Sequence, residues 1–153
     1  MALSDSADDN EYVPSTSKWV ADQVEAYERS GGREAATLRE TGIPIIVLTT
    51  RGATSGKVRK FALMRVEHEG DYAIVASRGG SPTNPHWYAN LLAYPNELAI
   101  QDGDTPKQYS VREVSGDERE LWWDRSVAVF ATYAEYAAKT ARTIPVLVAT
   151  PLR

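Results

Sequence analysis

Between Ile43 and Ser77 the chain carries three strand-like runs joined by links too short for a crossover, and this limits the fold more than any other feature. The first run, Ile43 to Thr50 (IPIIVLTT), is almost continuously apolar, as in a strand buried on both faces. The second runs from Val58 to Glu67 and the third from Asp71 to Ser77, with Glu69-Gly70 as the turn between them. Parallel neighbours need a connection of roughly a dozen residues or more, so these strands are expected to be antiparallel. The regular strand–helix alternation of a doubly wound sheet is missing.

The rest of the chain adds helices and three further strands. A helix is predicted over Ser17 to Ser30, stopped by Gly31-Gly32. A second begins at Asn84-Pro85, with Asn84 as cap and Pro85 in the first turn, and ends near Tyr94. Ser115 and Glu118 have capping-box spacing ahead of a helix from Gly116 to Phe130, and Thr132 and Glu135 repeat it where that helix breaks and restarts. Leu98 to Gln101 and Gln108 to Val114 flank an Asp102-Gly103 turn, and Val146 to Thr150 is the last strand. The expectation is an α+β fold of about six mostly antiparallel strands, a small barrel wrapped by three or four helices. Residues 1–14, acidic and polar, are expected to be disordered, and residues 15–153 to form a single domain.

Composition removes several kinds of chemistry. The chain has no cysteine, which excludes disulfides, thiolate zinc sites, iron–sulfur clusters and a cysteine nucleophile. Only two histidines occur, His68 and His86, so no metal centre is expected. No apolar run approaches the roughly 20 residues that span a bilayer, and the acidic start is unlike a secretory signal. The cytoplasm is the expected compartment, with at most peripheral membrane contact. A net charge of −4 and a pI of about 5.2 disfavour nucleic acid, whose non-specific affinity comes from neutralising phosphates.

Charge is nevertheless uneven. No acid occurs from Thr41 to Val66, a stretch holding Arg51, Lys57, Arg59, Lys60 and Arg65, and a second acid-free stretch runs from Tyr72 to Asn96 with Arg78 and His86. Such a pattern suggests either a local positive field for an anion or a solvated basic face. Gly52 to Lys57 bears on the choice. It is not a nucleotide-hydrolysis loop, because the spacing is one residue short and a strand, not a helix, follows. Its glycines let backbone amides converge, with Thr54 and Ser55 adding hydroxyls and Arg59 adding charge, so it reads as an anion cradle or as a plain turn. The helix start at Asn84-Pro85 is a second place for an anion, beside the Arg78-Gly79-Gly80 loop.

Aromatic residues cluster on the middle helix (Trp87, Tyr88, Tyr94) and on the C-terminal helices (Trp122, Trp123, Phe130, Tyr133, Tyr136). Around Tyr133 and Tyr136 the neighbours are small, leaving either core packing or a pocket for a flat ligand. His68 and the carboxylates from Glu67 to Asp71 read as a solvated hairpin tip. No serine-hydrolase elbow or triad is present.

Several motifs occur in order: Pro44 to Thr50, Gly52-x-x-Ser55-Gly56-x-x-Arg59, Ser77-Arg78-Gly79-Gly80, Asn84-Pro85-x-Trp87-Tyr88-x-Asn90-Leu91 and Arg142-Thr143-Ile144-Pro145-Val146. Together they resemble the deazaflavin-dependent nitroreductase family of actinobacteria, which includes quinone reductases. The resemblance covers about Ile43 to Pro151. It implies a split β-barrel and the coenzyme F420 (an 8-hydroxy-5-deazaflavin). It implies that Ala53, Thr54, Ser55 and Arg59 hold the coenzyme's charged tail. Lys60, Phe61, Ala62, Leu63 and Met64 would lie along the deazaflavin, and Val75, Ala76, Ser77 and Arg78 would form a second wall. His86, Trp87, Tyr88 and Asn90 would belong to a covering helix. Tyr133 would sit near coenzyme and substrate, with Tyr136 on the same helix. The chain departs from the family at Ala53-Thr54, which replaces two bases, at Ala62, which replaces a proline, and at Phe130, which replaces a substrate-pocket tyrosine.

Without cysteine or metal, redox chemistry must come from a bound coenzyme. The resemblance implies hydride transfer to a quinone, an enone or a nitro compound. The acceptor would lie between Trp87 and Tyr133 with Phe130 and Tyr136 alongside, and Tyr133 or Ser77 would act as hydrogen-bond donor. The alternatives are an FMN-dependent enzyme on a related barrel and a non-catalytic coenzyme carrier. A monomer or a homodimer fits equally.

Overall fold

The computed structural model of the 153-residue chain describes Tyr12, residues 18–38 and residues 41–152. The expectation of disorder over 1–14 therefore lies outside the described residues, apart from Tyr12, which makes an isolated parallel bridge to Val58. Seven strands form one sheet: β1 (Ile45–Arg51), β2 (Val58–Met64), β3 (Glu67–His68), β4 (Asp71–Val75), β5 (Leu98–Gln101), β6 (Pro106–Glu113) and β7 (Val146–Pro151). Four α-helices join them: α1 (Lys18–Ser30), α2 (His86–Ala93), α3 (Gly116–Val129) and α4 (Thr132–Lys139).

The strand order is β2-β1-β5-β6-β7-β4-β3, and every ladder is antiparallel. The outermost strands, β2 and β3, are consecutive in the chain and joined only by Arg65 and Val66. So short a link spans roughly 10 Å, so the two edges of the sheet must curl together there. Arg65 N–H donates to Pro44 O at 2.8 Å on one side, and Ala73 N–H donates to Val66 O at 2.9 Å on the other. No ladder joins β2 to β3, and this gap is the split of the barrel.

Two expectations change here. The second run divides at Arg65-Val66, so there are seven strands rather than six. The third run meets the second only at its end, where Tyr72 pairs with Glu67 and Asp71 with His68; along its whole length from Tyr72 it pairs with β7 from the end of the chain. Its other partner, β3, is reached through Glu69 (φ 52) and Gly70 (φ 88), the positive-φ pair that a tight hairpin turn requires.

Period-two alternation explains the packing. Ile46 and Leu48 of β1 point into the barrel with Leu98, Ile100 and Leu147, whereas Ile45 and Val47 face outward under Val24 and Tyr27 of α1. On β7, Leu147 and Ala149 point inward, and Val146 and Val148 are covered by Trp122 of α3. Helices on the outer faces thus account for the continuous apolar run of β1.

Side-chain caps are replaced by longer-range partners. Pro85 is the cap residue of α2, and Asn84 Oδ1 instead accepts from Arg142 Nη1 at 2.7 Å. Ser115 makes no side-chain cap bond, and Glu118 takes the Arg112 fork at 2.8 and 2.6 Å. The cap of α4 is Ala131, with Thr132 already inside the helix. In the first two cases a charge-assisted guanidinium bond displaces a weaker local one.

Candidate coenzyme cleft

A cleft of about 1160 Å³ opens where the loop 52–56, β2 and the start of α2 meet. The loop is folded from beneath by Arg51, which is buried, donates to Gly56 O at 2.7 Å and pairs with Glu97 at 3.2 Å. Gly52 N–H donates to Lys57 O at 2.7 Å and Gly56 N–H to Gly52 O at 2.9 Å. Gly52 has no room for a side chain, since a Cβ there would lie 2.8 Å from Ser55 Oγ. Ser55 Oγ accepts from Lys57 N–H at 3.1 Å, and Ala53 N–H donates to Asn90 Oδ1 at 2.8 Å. The amides of Thr54 and Ser55 have no partner among the described residues, and both residues are exposed.

The other wall repeats this chemistry. In the first turn of α2 the amides of His86 and Trp87 have no partner among the described residues. Unpaired amides at a helix start attract anions. Among the described residues no Asp or Glu lines the cleft, and Arg59 and Arg78 both do. Arg59 has no ion-pair partner among the described residues, whereas Arg78 donates to Thr83 Oγ1.

The wide basic field expected from the acid-free stretch is cut down. Arg51 meets Glu97 at 3.2 Å, Lys60 meets Glu28 at 2.7 Å and Arg65 meets Asp102 at 2.7 Å, all acids from distant segments. Arg51 and Lys60 thus each share their charge with a carboxylate. Folding brings in counter-charges that linear spacing hides.

Of the residues expected to hold the coenzyme, Ala53, Thr54, Ser55, Arg59, Lys60, Phe61, Ala62, Arg78, His86, Trp87, Tyr88 and Asn90 share this cleft. Trp87 stacks on Phe61, with centroids 4.6 Å apart and planes 7° from parallel. Tyr88 lends its ring to the wall but donates its hydroxyl to Glu113; burial and that bond push its pKa up to about 12.

The remaining candidates lie elsewhere. Leu63 packs on the central core, Met64 and Val75 pack with Tyr133, and Ala76 is fully buried. Ser77 is nearly buried beside Arg78. Tyr133, 1% exposed, sits with Val75 and Ile144 beneath Trp123, Phe130 and Tyr136. Phe130 meets it edge-on at 5.0 Å and Tyr136 at 6.4 Å. Burial first, and Tyr136 second, raise its pKa above the ordinary tyrosine value. Its hydroxyl has no hydrogen bond among the described residues, yet no fully buried side-chain polar atom lacks one there. The hydroxyl oxygen therefore accounts for part of the 1% of Tyr133 that is exposed. Trp87 lines this cleft and Tyr133 does not.

A turn links the two places. Arg78, Gly79 and Gly80 all have positive φ (46°, 62° and 80°), which turns Arg78 toward the cleft and Gly80 against α4. Arg142, noted in the sequence only as part of a motif, holds this loop. Its guanidinium donates to Ser77 O at 2.8 Å, Ser81 O at 2.9 Å, Ala76 O at 3.3 Å and Asn84 Oδ1 at 2.7 Å. Partners some sixty positions away leave no local signal for such a role.

The donor set suits a flat coenzyme with an anionic tail. Amides and Arg59 stand at one end of the cleft, and Phe61, Ala62 and Trp87 form an apolar wall. Residues 19–151 match the family described as F420H(2)-dependent quinone reductase. Two Mycobacterium tuberculosis relatives agree. The putative F420H(2)-dependent quinone reductase Rv3178 is 32% identical over 71% of this chain and 91% of its own. F420H(2)-dependent quinone reductase Rv1261c is 35% identical over 70% of this chain and 73% of its own. A solved F420-H2 dependent reductase (FDR-A) is 50% identical, covers 69% of this chain and 93% of its own, and superposes with a TM-score of 0.65. A second solved structure, described as a domain-swapped dimer, is 43% identical with a TM-score of 0.68 over 88% of this chain and 99% of its own. The curled antiparallel sheet and these matches agree, and the chain belongs to the F420H(2)-dependent quinone reductase family.

Proposed function

We propose that this protein is an oxidoreductase that reduces a quinone, or a related conjugated or nitro acceptor, with a hydride drawn from reduced coenzyme F420. The observation that carries the reading is the pair of amides at Thr54 and Ser55, partnerless among the described residues, sharing with Arg59 a cleft that no described Asp or Glu lines. The FMN-dependent and carrier alternatives gain no support from the relatives.

When bound, reduced F420 supplies the hydride from its deazaflavin ring. The Thr54 and Ser55 amides, the Thr54 hydroxyl and the Arg59 guanidinium hold the charged tail. The first turn of α2 adds the partial positive charge of its free amides. Phe61, Ala62 and Trp87 flank the ring and keep water from it. As the acceptor is reduced, negative charge grows on an oxygen, and a fixed donor there lowers the barrier by about 3 kcal/mol. Tyr133 fits that task, because a phenol is protonated at neutral pH even at the ordinary tyrosine pKa of about 10, and burial moves it only further from ionisation. Ser77, next to Arg78 on the adjoining wall, is the second donor. Tyr133 and Ser77 would meet the acceptor oxygen, with Phe130 and Tyr136 packed around Tyr133.

We place the enzyme in the cytoplasm, as a monomer or homodimer. No helix among the described residues is long and apolar enough to cross a membrane, which fits at most peripheral contact with a membrane-borne quinone. The test is a titration with reduced F420 followed by an acceptor panel of quinones, enones and nitro compounds. Arg59→Ala should weaken coenzyme binding at least tenfold. Tyr133→Phe and Ser77→Ala, together, should lower turnover about a hundredfold. Binding without turnover of any acceptor identifies a carrier instead.

A further inference from the structure

Arg142 makes no contact in the cleft, yet it is bonded to both ends of the loop that carries Arg78 there. The carbonyls of Ala76 and Ser77 precede that loop, and Ser81 O and Asn84 Oδ1 follow its turn. One planar guanidinium thus closes the loop like a clasp. Its charge meets no carboxylate among the described residues, only carbonyl and amide oxygens.

Inside the clasp the backbone is strained. Arg78 has φ 46°, a region that a residue with a Cβ enters only at a cost, and Gly79 and Gly80 continue it. Without an external hold, Arg78 would relax toward ordinary backbone angles and carry its side chain off the cleft wall. The remaining holds on the turn are few. Lys139 Nζ lies 3.4 Å from Gly79 O, Gly80 rests against α4, and Gly80 and Ser81 N–H donate back to Ser77 O and Arg78 O.

We infer that Arg142 is a positioning residue of the coenzyme site. It keeps Arg78 and the start of α2 in the geometry that receives an anion, without touching the ligand. The inference rests on the F420 reading for the identity of that ligand. Lysine cannot substitute, because a point charge on a flexible stem cannot bond both ends of the loop at once.

The experiment compares wild type with Arg142→Lys and Arg142→Gln in two ways. The first is trypsin cleavage after Arg78 in the protein without coenzyme, under conditions where the fold stays intact by circular dichroism. The second is the dissociation constant for F420 by fluorescence titration. Both variants should be cut after Arg78 at least fivefold faster and should bind F420 at least tenfold more weakly, even though lysine retains the charge. Unchanged cleavage overturns the clasp. Faster cleavage with unchanged affinity shows a loop brace with no bearing on the coenzyme, and overturns the positioning role. Wild-type protein that fails to bind F420 overturns the functional reading and the affinity half of this inference with it, while the cleavage comparison still judges the clasp.

Discussion

Asn90, on α2, accepts the backbone N–H of Ala53 in the glycine loop at 2.8 Å, and so ties together the two walls that present free amides to the cleft. The bond occupies Ala53 N–H and leaves those of Thr54 and Ser55 facing outward. Asn90→Ala is expected to cost only about 1 kcal/mol of stability, because the exposed Ala53 amide can turn to water. Its effect on F420 should be larger, a rise in Kd of about tenfold, or about 1.4 kcal/mol. Asn90→Asp keeps the acceptor and adds a negative charge, so its melting temperature should stay near wild type while its affinity falls further. Calorimetry and a binding titration in parallel read both quantities.

Why the loop was legible and the charge balance was not follows from distance along the chain. Glycines, hydroxyls and a following strand lie within a few residues of one another, so the Gly52–Arg59 loop and the strand after it could be read locally. The partners of Arg51, Lys60 and Arg65 lie 46, 32 and 37 positions away, and only folding brings Glu97, Glu28 and Asp102 to them. The fold divides the same way. Strand positions and antiparallel pairing are local properties of apolar runs and short links. Placing β4 beside β7 requires the end of the chain to return through the sheet, which no local pattern encodes. Ser115 caps α3 as expected, but its box partner Glu118 pairs with Arg112, and the cap expected at Asn84 moves to Pro85 while Asn84 bonds Arg142, partners from outside the helix that no local pattern shows.

Glu97 neutralises a guanidinium that is 4% exposed and that also donates to Gly56 O. Truncating one partner of a buried pair leaves the other charge poorly compensated, at a cost of about 3 kcal/mol. Glu97→Ala should therefore lower the melting temperature by roughly 6–12 °C in a domain of this size. Because Arg51 supports the loop from beneath, coenzyme affinity should fall as well. Glu97→Gln, which keeps an acceptor oxygen, should recover part of both losses.

Gly80 tests the contact between the cleft wall and the tyrosine helix. Its φ of 80° is unfavourable for any side chain, and a Cβ would lie 2.9 Å from Tyr136 O and 3.1 Å from Tyr136 Cα. Backbone atoms of a helix cannot yield as a flexible side chain can, so Gly80→Ala must push the turn away from α4. A loss of about 2 kcal/mol is expected. Gly79→Ala meets no atom within 4 Å and should cost only the backbone strain, about 1 kcal/mol. Equal melting temperatures for the two variants would contradict the close packing at Gly80.

The tyrosines set the alkaline behaviour of both stability and turnover. Burial raises the pKa of Tyr72, Tyr88 and Tyr133 in the folded chain, and the Tyr88 value reaches about 12. Unfolded tyrosine titrates near ~10, so above that pH the unfolded chain gives up protons that the folded chain retains. Stability from these groups is full below about pH 10 and is lost as pH rises toward and through their folded values. Denaturant melts at pH 8, 10 and 11 should show a falling midpoint, with a smaller fall in Tyr88→Phe. The same shift governs Tyr133 as a donor. If it supplies the hydrogen bond to the acceptor oxygen, kcat should have no alkaline limb below about pH 10 that Tyr133→Phe removes. Because its hydroxyl has no protein partner among the described residues, Tyr133→Phe should leave the melting temperature almost unchanged while lowering kcat about tenfold or more on its own. A Tyr133→Phe enzyme with wild-type turnover would transfer the donor role to Ser77.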